Sequence, residues 1–137
     1  MRRAVLAIVV ACSLGWMQSA PAADYAAMSG EELYRRFCAS CHGVAGRGDG
    51  PVAASLRVEV PDLTLAARRA NGVYPRERIV RIIDGRYIIG AHGTRIMPVW
   101  GEDLARIELG NPEAERASQT IIGRLADYLG SLQRGPQ

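Results

Sequence analysis

The sequence predicts an all-helical domain, and three observations carry that expectation. No stretch alternates apolar and polar side chains at the two-residue period of a half-buried strand. Ser29-Gly30-Glu31-Glu32 has the form of a capping box, and Leu33, Tyr34 and Phe37 come after it at helical spacing. Near the C-terminus, Ala117, Ile121, Leu125, Tyr128, Leu129 and Leu132 form one apolar stripe with charged residues on the opposite face.

Taken in order, the first helix should run from about Gly30 to Ala39. Residues 43–61 hold four glycines and two prolines and read as an irregular loop. A short helix over Leu65 to Ala70 should close at Asn71-Gly72. Pro75 then opens a helix with Ile79, Ile82 and Ile83 on one face, and Gly85 stops it. The last helix should extend from Pro112 or Glu113 to Leu132 and cross the first, with Leu33, Tyr34 and Phe37 facing Ile121, Leu125 and Tyr128.

The chain has 137 residues, 48% of them hydrophobic and 23% charged, which suits one globular domain and excludes a disordered or fibrous class. Met1-Arg2-Arg3 precedes an apolar run from Ala4 to Met17, and Ala20-Pro21-Ala22 offers small residues before a cut. Residues 1–22 therefore read as a secretory signal, with 23–137 as the exported domain in the periplasm. The run is too short for a spanning helix, so no stable membrane insertion is expected. Val9-Val10-Ala11-Cys12 offers a weaker alternative, a lipid on Cys12. Removing 22 residues leaves 115, with 15 arginines against 14 acidic groups, and no basic run remains to suggest a nucleic-acid partner. Every basic side chain is arginine, apart from the two histidines.

Two cysteines remain in that domain, in the string Cys38-Ala39-Ser40-Cys41-His42. A tight disulfide or a redox-active thiol pair leaves the histidine without a purpose, and the surroundings lack strand-helix-strand alternation. A zinc site wants about four ligands, and the chain has only one other histidine, His92. Covalent haem attachment fits all three residues: on a helical turn they share one face, so two thiols can form thioethers while the imidazole binds iron. After residue 22 there is one tryptophan and one phenylalanine, in a chain rich in alanine. A large flat cofactor would supply much of the missing core.

Beyond this motif the chain resembles the class I c-type cytochromes, in particular the small bacterial monohaem ones. The resemblance is carried by Gly43, residues 46–51, Pro61-Asp62-Leu63-Thr64, Ile83-Asp84-Gly85, His92-Gly93 and Met97-Pro98-Val99-Trp100-Gly101. It implies four to five helices wrapped round one covalently attached haem c, with the N- and C-terminal helices crossing. It also implies that a methionine before proline is the distal iron ligand, and that a proline carbonyl after the motif accepts a hydrogen bond from the proximal imidazole.

On that basis Cys38 and Cys41 are expected to hold the haem, with His42 and Met97 as axial ligands. Pro98 disfavours helix at Met97 and glycines surround it, so this residue sits in extended chain able to reach over a haem face. Met28 stands too near the start of the domain for that role. His92 is the alternative sixth ligand. Pro51 is a candidate for supporting His42, and Trp100 is a pocket aromatic whose indole N–H suits a propionate. Arg95 or Arg47 could neutralise a propionate. Tyr74, Tyr87 and Tyr128 read as packing residues.

With both axial sites filled, no position is open for substrate, and the chain should carry one electron at a time rather than act as an enzyme. The expected partners are redox proteins, either a membrane oxidoreductase or a periplasmic dehydrogenase or reductase. The protein would serve as a soluble monomeric carrier or as an electron-transfer subunit of a respiratory complex. The competing class is a haem-based gas sensor or peroxidase-like enzyme with a labile sixth ligand.

Overall fold

A computed structural model describes residues 24–86, 97–107 and 112–135. The expectations placed on the leader, Cys12, Tyr87, His92 and Arg95 lie outside these residues. Among the described residues there are six α-helices: α1 (Gly30–Phe37), α2 (Ala39–His42), α3 (Ala66–Arg69), α4 (Arg76–Asp84), α5 (Trp100–Ile107) and α6 (Pro112–Ser131), with 3-10 turns at Ala53–Ser55 and Leu63–Leu65. Among the same residues there is no strand.

The capping box forms as expected. Ser29 Oγ accepts from the Glu32 amide, and the Glu32 carboxylate accepts from the Ser29 amide at 2.8 Å. Helix α1 breaks earlier than expected: Cys38 leaves helical geometry at φ −120°, and α2 restarts at Ala39. The Cys38 amide still bonds the Tyr34 carbonyl at 2.9 Å, so the chain bends at Cys38 instead of leaving the helix axis.

At the other end of the chain, α6 buries Ala114, Ser118, Ile121, Ile122, Leu125, Ala126 and Leu129 on one face. This face packs on α1, α4 and α5. The α1–α6 crossing is close because Gly30 has no side chain: a Cβ there would stand 2.5 Å from the Arg124 carbonyl oxygen. Arg124 in turn donates to the carbonyls of Ala26 and Met28, fixing the entry to α1. Leu33 and Tyr34 are fully buried in this contact, and the Tyr34 and Tyr128 rings lie 5.3 Å apart. Phe37, expected against α6, stacks instead between Tyr25 and Trp100, each at 5.3 Å.

Helix α4 ends at Gly85, whose φ of 74° is the left-handed cap that the glycine allows. It turns Ile83 and partly Ile79 into the core, whereas Ile82 is exposed and falls off the expected face. Two ties hold α4 and the residues before it to α6: Tyr74 Oη donates to the Ala126 carbonyl at 2.6 Å, and Arg76 pairs with Asp127. Helix α5 was not legible from its sequence. It is eight residues long, starts two residues after Pro98 and carries Gly101 in its first turn, so it shows no long apolar stripe. Leu104 is its fully buried anchor.

Candidate functional site

The site grows from the end of α1. Cys38 caps that helix, and Cys41 and His42 stand on α2, so the turn brings all three into one wall. The segment after His42 is folded back on α2 by its own backbone. The amides of Gly48, Gly50 and Val52 donate to the carbonyls of His42, Cys41 and Ser40 at 2.8, 3.2 and 3.0 Å. These bonds satisfy carbonyls that a helix end otherwise leaves without partners. The fold-back starts at Gly43, with φ 77° and ψ 157°, where a Cβ would collide with Asp49 Oδ1. Only glycine fits there. Its carbonyl accepts from the buried Tyr34 hydroxyl at 2.6 Å, which ties the core to the end of the cysteine motif. Tyr34→Phe is expected to leave that carbonyl with only the Gly46 amide, at 3.1 Å, and to cost about 1 kcal/mol of unfolding free energy, measured by denaturant titration.

The same loop then returns to the histidine. The Leu63 amide donates to the Gly46 carbonyl at 2.7 Å, and this places the Pro61 carbonyl 3.4 Å from His42 Nδ1. The proline whose carbonyl faces His42 is therefore Pro61 and not Pro51, which lies outside the cavity lining. Which carbonyl reaches the ring depends on the path of the whole loop, and no local signal distinguishes the two prolines. Burial pushes the His42 pKa down, against the opposing pull of the Pro61 carbonyl. A neutral ring with its Nδ1 proton directed at Pro61 leaves Nε2 as the nitrogen able to bind a metal.

A cavity of about 700 Å³, counting its open mouth, lies against this wall. Phe37, Cys38, Cys41 and His42 line one part of it, and residues of the returning loop, Leu56, Val58, Val60 and Pro61, line another. Met97, Pro98 and Trp100 complete it, so a segment more than fifty residues away in sequence meets the cysteine motif. Trp100 lines the cavity, and Met28 packs on the core without reaching the cavity lining. Neither the apolar loop wall nor Phe37 is marked as cavity lining by its sequence, although Phe37 directly precedes Cys38.

The residues present fit a haem and fit the competing ligands poorly. Burial, with a smaller contribution from Cys41, pushes the Cys38 thiol up to about 12. A redox-active pair needs the opposite, a thiol with its pKa lowered. Both cysteines are free thiols, and among the described residues no three His, Cys, Asp or Glu side chains cluster to hold a metal ion. Two thiols and one neutral imidazole on the edge of an apolar cavity match a flat apolar macrocycle with a central iron.

An all-helical fold closing on such a cavity defines a c-type cytochrome domain. The chain belongs to the family described as cytochrome c oxidase, cbb3-type, subunit III, whose model matches residues 25–111. Comparisons with the curated proteins and with the solved structures gave no match. The domain is one of haem-based electron transfer. Among the described residues no helix is long and apolar enough to cross a membrane.

Proposed function

We propose that this protein carries single electrons in the periplasm through one haem c held by Cys38 and Cys41, with His42 and Met97 as axial ligands. It works as an electron-transfer subunit of a membrane respiratory oxidoreductase or as a soluble carrier delivering to one. The observation that supports this reading best is that Met97 and the Cys38-Cys41-His42 wall line the same apolar cavity.

When bound, the haem supplies an iron that gains and loses one electron. The chain's own residues set the conditions. Pro61 orients the His42 ring, so the ligand nitrogen is preorganised and need not move with oxidation state. The Met97 thioether favours the reduced metal and raises the potential. The apolar walls from Phe37 to Trp100 keep water from the ligands. The family's description favours the subunit role, and docking would involve a small, salt-sensitive contact near the cavity mouth.

Production with a haem-attachment system tests the reading. The reduced protein is expected to give a sharp low-spin spectrum that carbon monoxide leaves unchanged. Met97→Ala should bind carbon monoxide rapidly and lose the weak sulfur-to-ferric-iron charge-transfer band. Rapid binding by the unaltered protein would instead indicate an open sixth site, and an unchanged ferric spectrum in Met97→Ala would reject Met97 as ligand.

A further inference from the structure

A charge network lies directly behind the segment that carries Met97. Asp84, 2% exposed, accepts from Arg86 Nε at 2.8 Å, Arg86 Nη2 at 2.6 Å, the Arg86 amide at 3.1 Å and Gln119 Nε2 at 2.9 Å. Arg86 simultaneously grips both oxygens of Glu115, at 2.7 and 2.8 Å. One guanidinium thus joins the end of α4 to the first turns of α6. Planar forks of this kind hold their partners in fixed directions.

The first turn of α5 rests on this fork. A Cβ at Gly101 would lie 2.5 Å from Arg86 Nε and 2.6 Å from Asp84 Oδ1, so the helix backbone is seated against the ion pair itself. From the other side, the buried Ser118 hydroxyl donates to the Gly101 carbonyl at 3.3 Å. Gly101 directly follows Trp100 and stands four residues after Met97, both in the cavity lining. In sequence, Arg86 stands eleven residues before Met97, so the network grips the chain on both sides of it. Stability alone is a poor explanation, because a buried ion pair contributes little net over an apolar replacement of the same shape. A fixed geometry is what such a pair provides well.

We infer that Asp84, Arg86 and Glu115 are positioning residues for Met97: by seating Gly101 they set how firmly the methionine is held at the sixth iron position. This inference rests on the axial ligation proposed above. It also gives one physical reason for glycine at 101, since any larger residue would collide with the fork.

The test uses the haem-loaded protein with Asp84→Asn, which keeps the side-chain shape, and Gly101→Ala, which inserts one methyl. Tyr74→Phe serves as the control. It removes a hydrogen bond to α6 and touches neither the network nor the cavity lining. The readouts are the rate of carbon monoxide binding to the reduced protein, the sulfur-to-iron band of the oxidised protein, and the thermal midpoint. Binding requires Met97 to be off the iron, so its rate follows the population released. Both network variants are expected to bind at least about tenfold faster and to weaken the band. Tyr74→Phe should lower the midpoint and keep the original rate. Network variants that lower the midpoint yet retain the rate and the band would overturn the inference, as would an equal acceleration in Tyr74→Phe. Fast binding by the unaltered protein would remove the axial reading itself, a result separable from either of these.

Discussion

Produced without haem, as the Cys38→Ala/Cys41→Ala variant, the chain is expected to lose cooperative unfolding and well-dispersed amide signals. The reason lies in where its largest rings are used. After residue 22 the chain has one phenylalanine and one tryptophan, Phe37 and Trp100, and both line the cavity and only flank the buried core. The core proper is built from Leu33, Tyr34, Ile83, Leu104 and the face of α6, with alanine at several positions. A domain of about this size buries only some two thirds of its unfolded surface and has little stability to spare. The loop walls, Leu56, Val58 and Val60, line the cavity, and none of them belongs to the core cluster. Circular dichroism and a thermal melt of the haem-free variant provide the measurement. A sharp melt with full helicity would show that the helices alone suffice.

In the haem-loaded protein, Leu125→Ala should produce the largest loss for a single side chain remote from the cavity. Leu125 is 1% exposed and sits in the cluster where α6 meets α1. Truncating a leucine at such a site costs about 3–4 kcal/mol, the lost transfer energy plus a cavity that rigid neighbours fill poorly. That is a large share of the roughly 5–15 kcal/mol that hold a typical domain together. Denaturant titration should show a lower midpoint at unchanged slope. A loss below about 1 kcal/mol would mean that α6 relaxes onto the gap and that the crossing is looser than the Gly30 contact implies.

The sequence was most informative where chemistry and period are local. Cys38, Cys41 and His42 declare their purpose by spacing, and α6 is visible because its stripe persists for about four turns. The α1–α6 crossing is legible from their two apolar faces, although the face of α6 also covers α4 and α5. Legibility failed where a residue's role depends on a distant part of the fold. Pro61 supports His42 only because Leu63 is bonded to Gly46, which bends the loop back. Ile82 fits the α4 stripe by spacing, but α6 covers a narrower face than the stripe suggests. The Arg86–Glu115 pairing spans 29 residues, and in a chain with seventeen arginines no sequence rule selects that partner. Tyr34 falls on the apolar face of α1 by spacing alone, while its hydroxyl's bond to Gly43 depends on the break at Cys38 that sets where α2 ends.

The near contact between Gly30 and Arg124 also sets an order of events in time. Cys38 and Arg124 are separated by about 86 residues. Because the chain emerges from its N-terminus, the cysteines precede the helix that packs on α1. Until α6 exists, α1 lacks the element it packs on most, and Cys38, which the finished domain buries, is less enclosed. Cofactor attachment therefore has a natural interval before closure. A haem held by both thiols would on this reading be joined before Cys38 is buried.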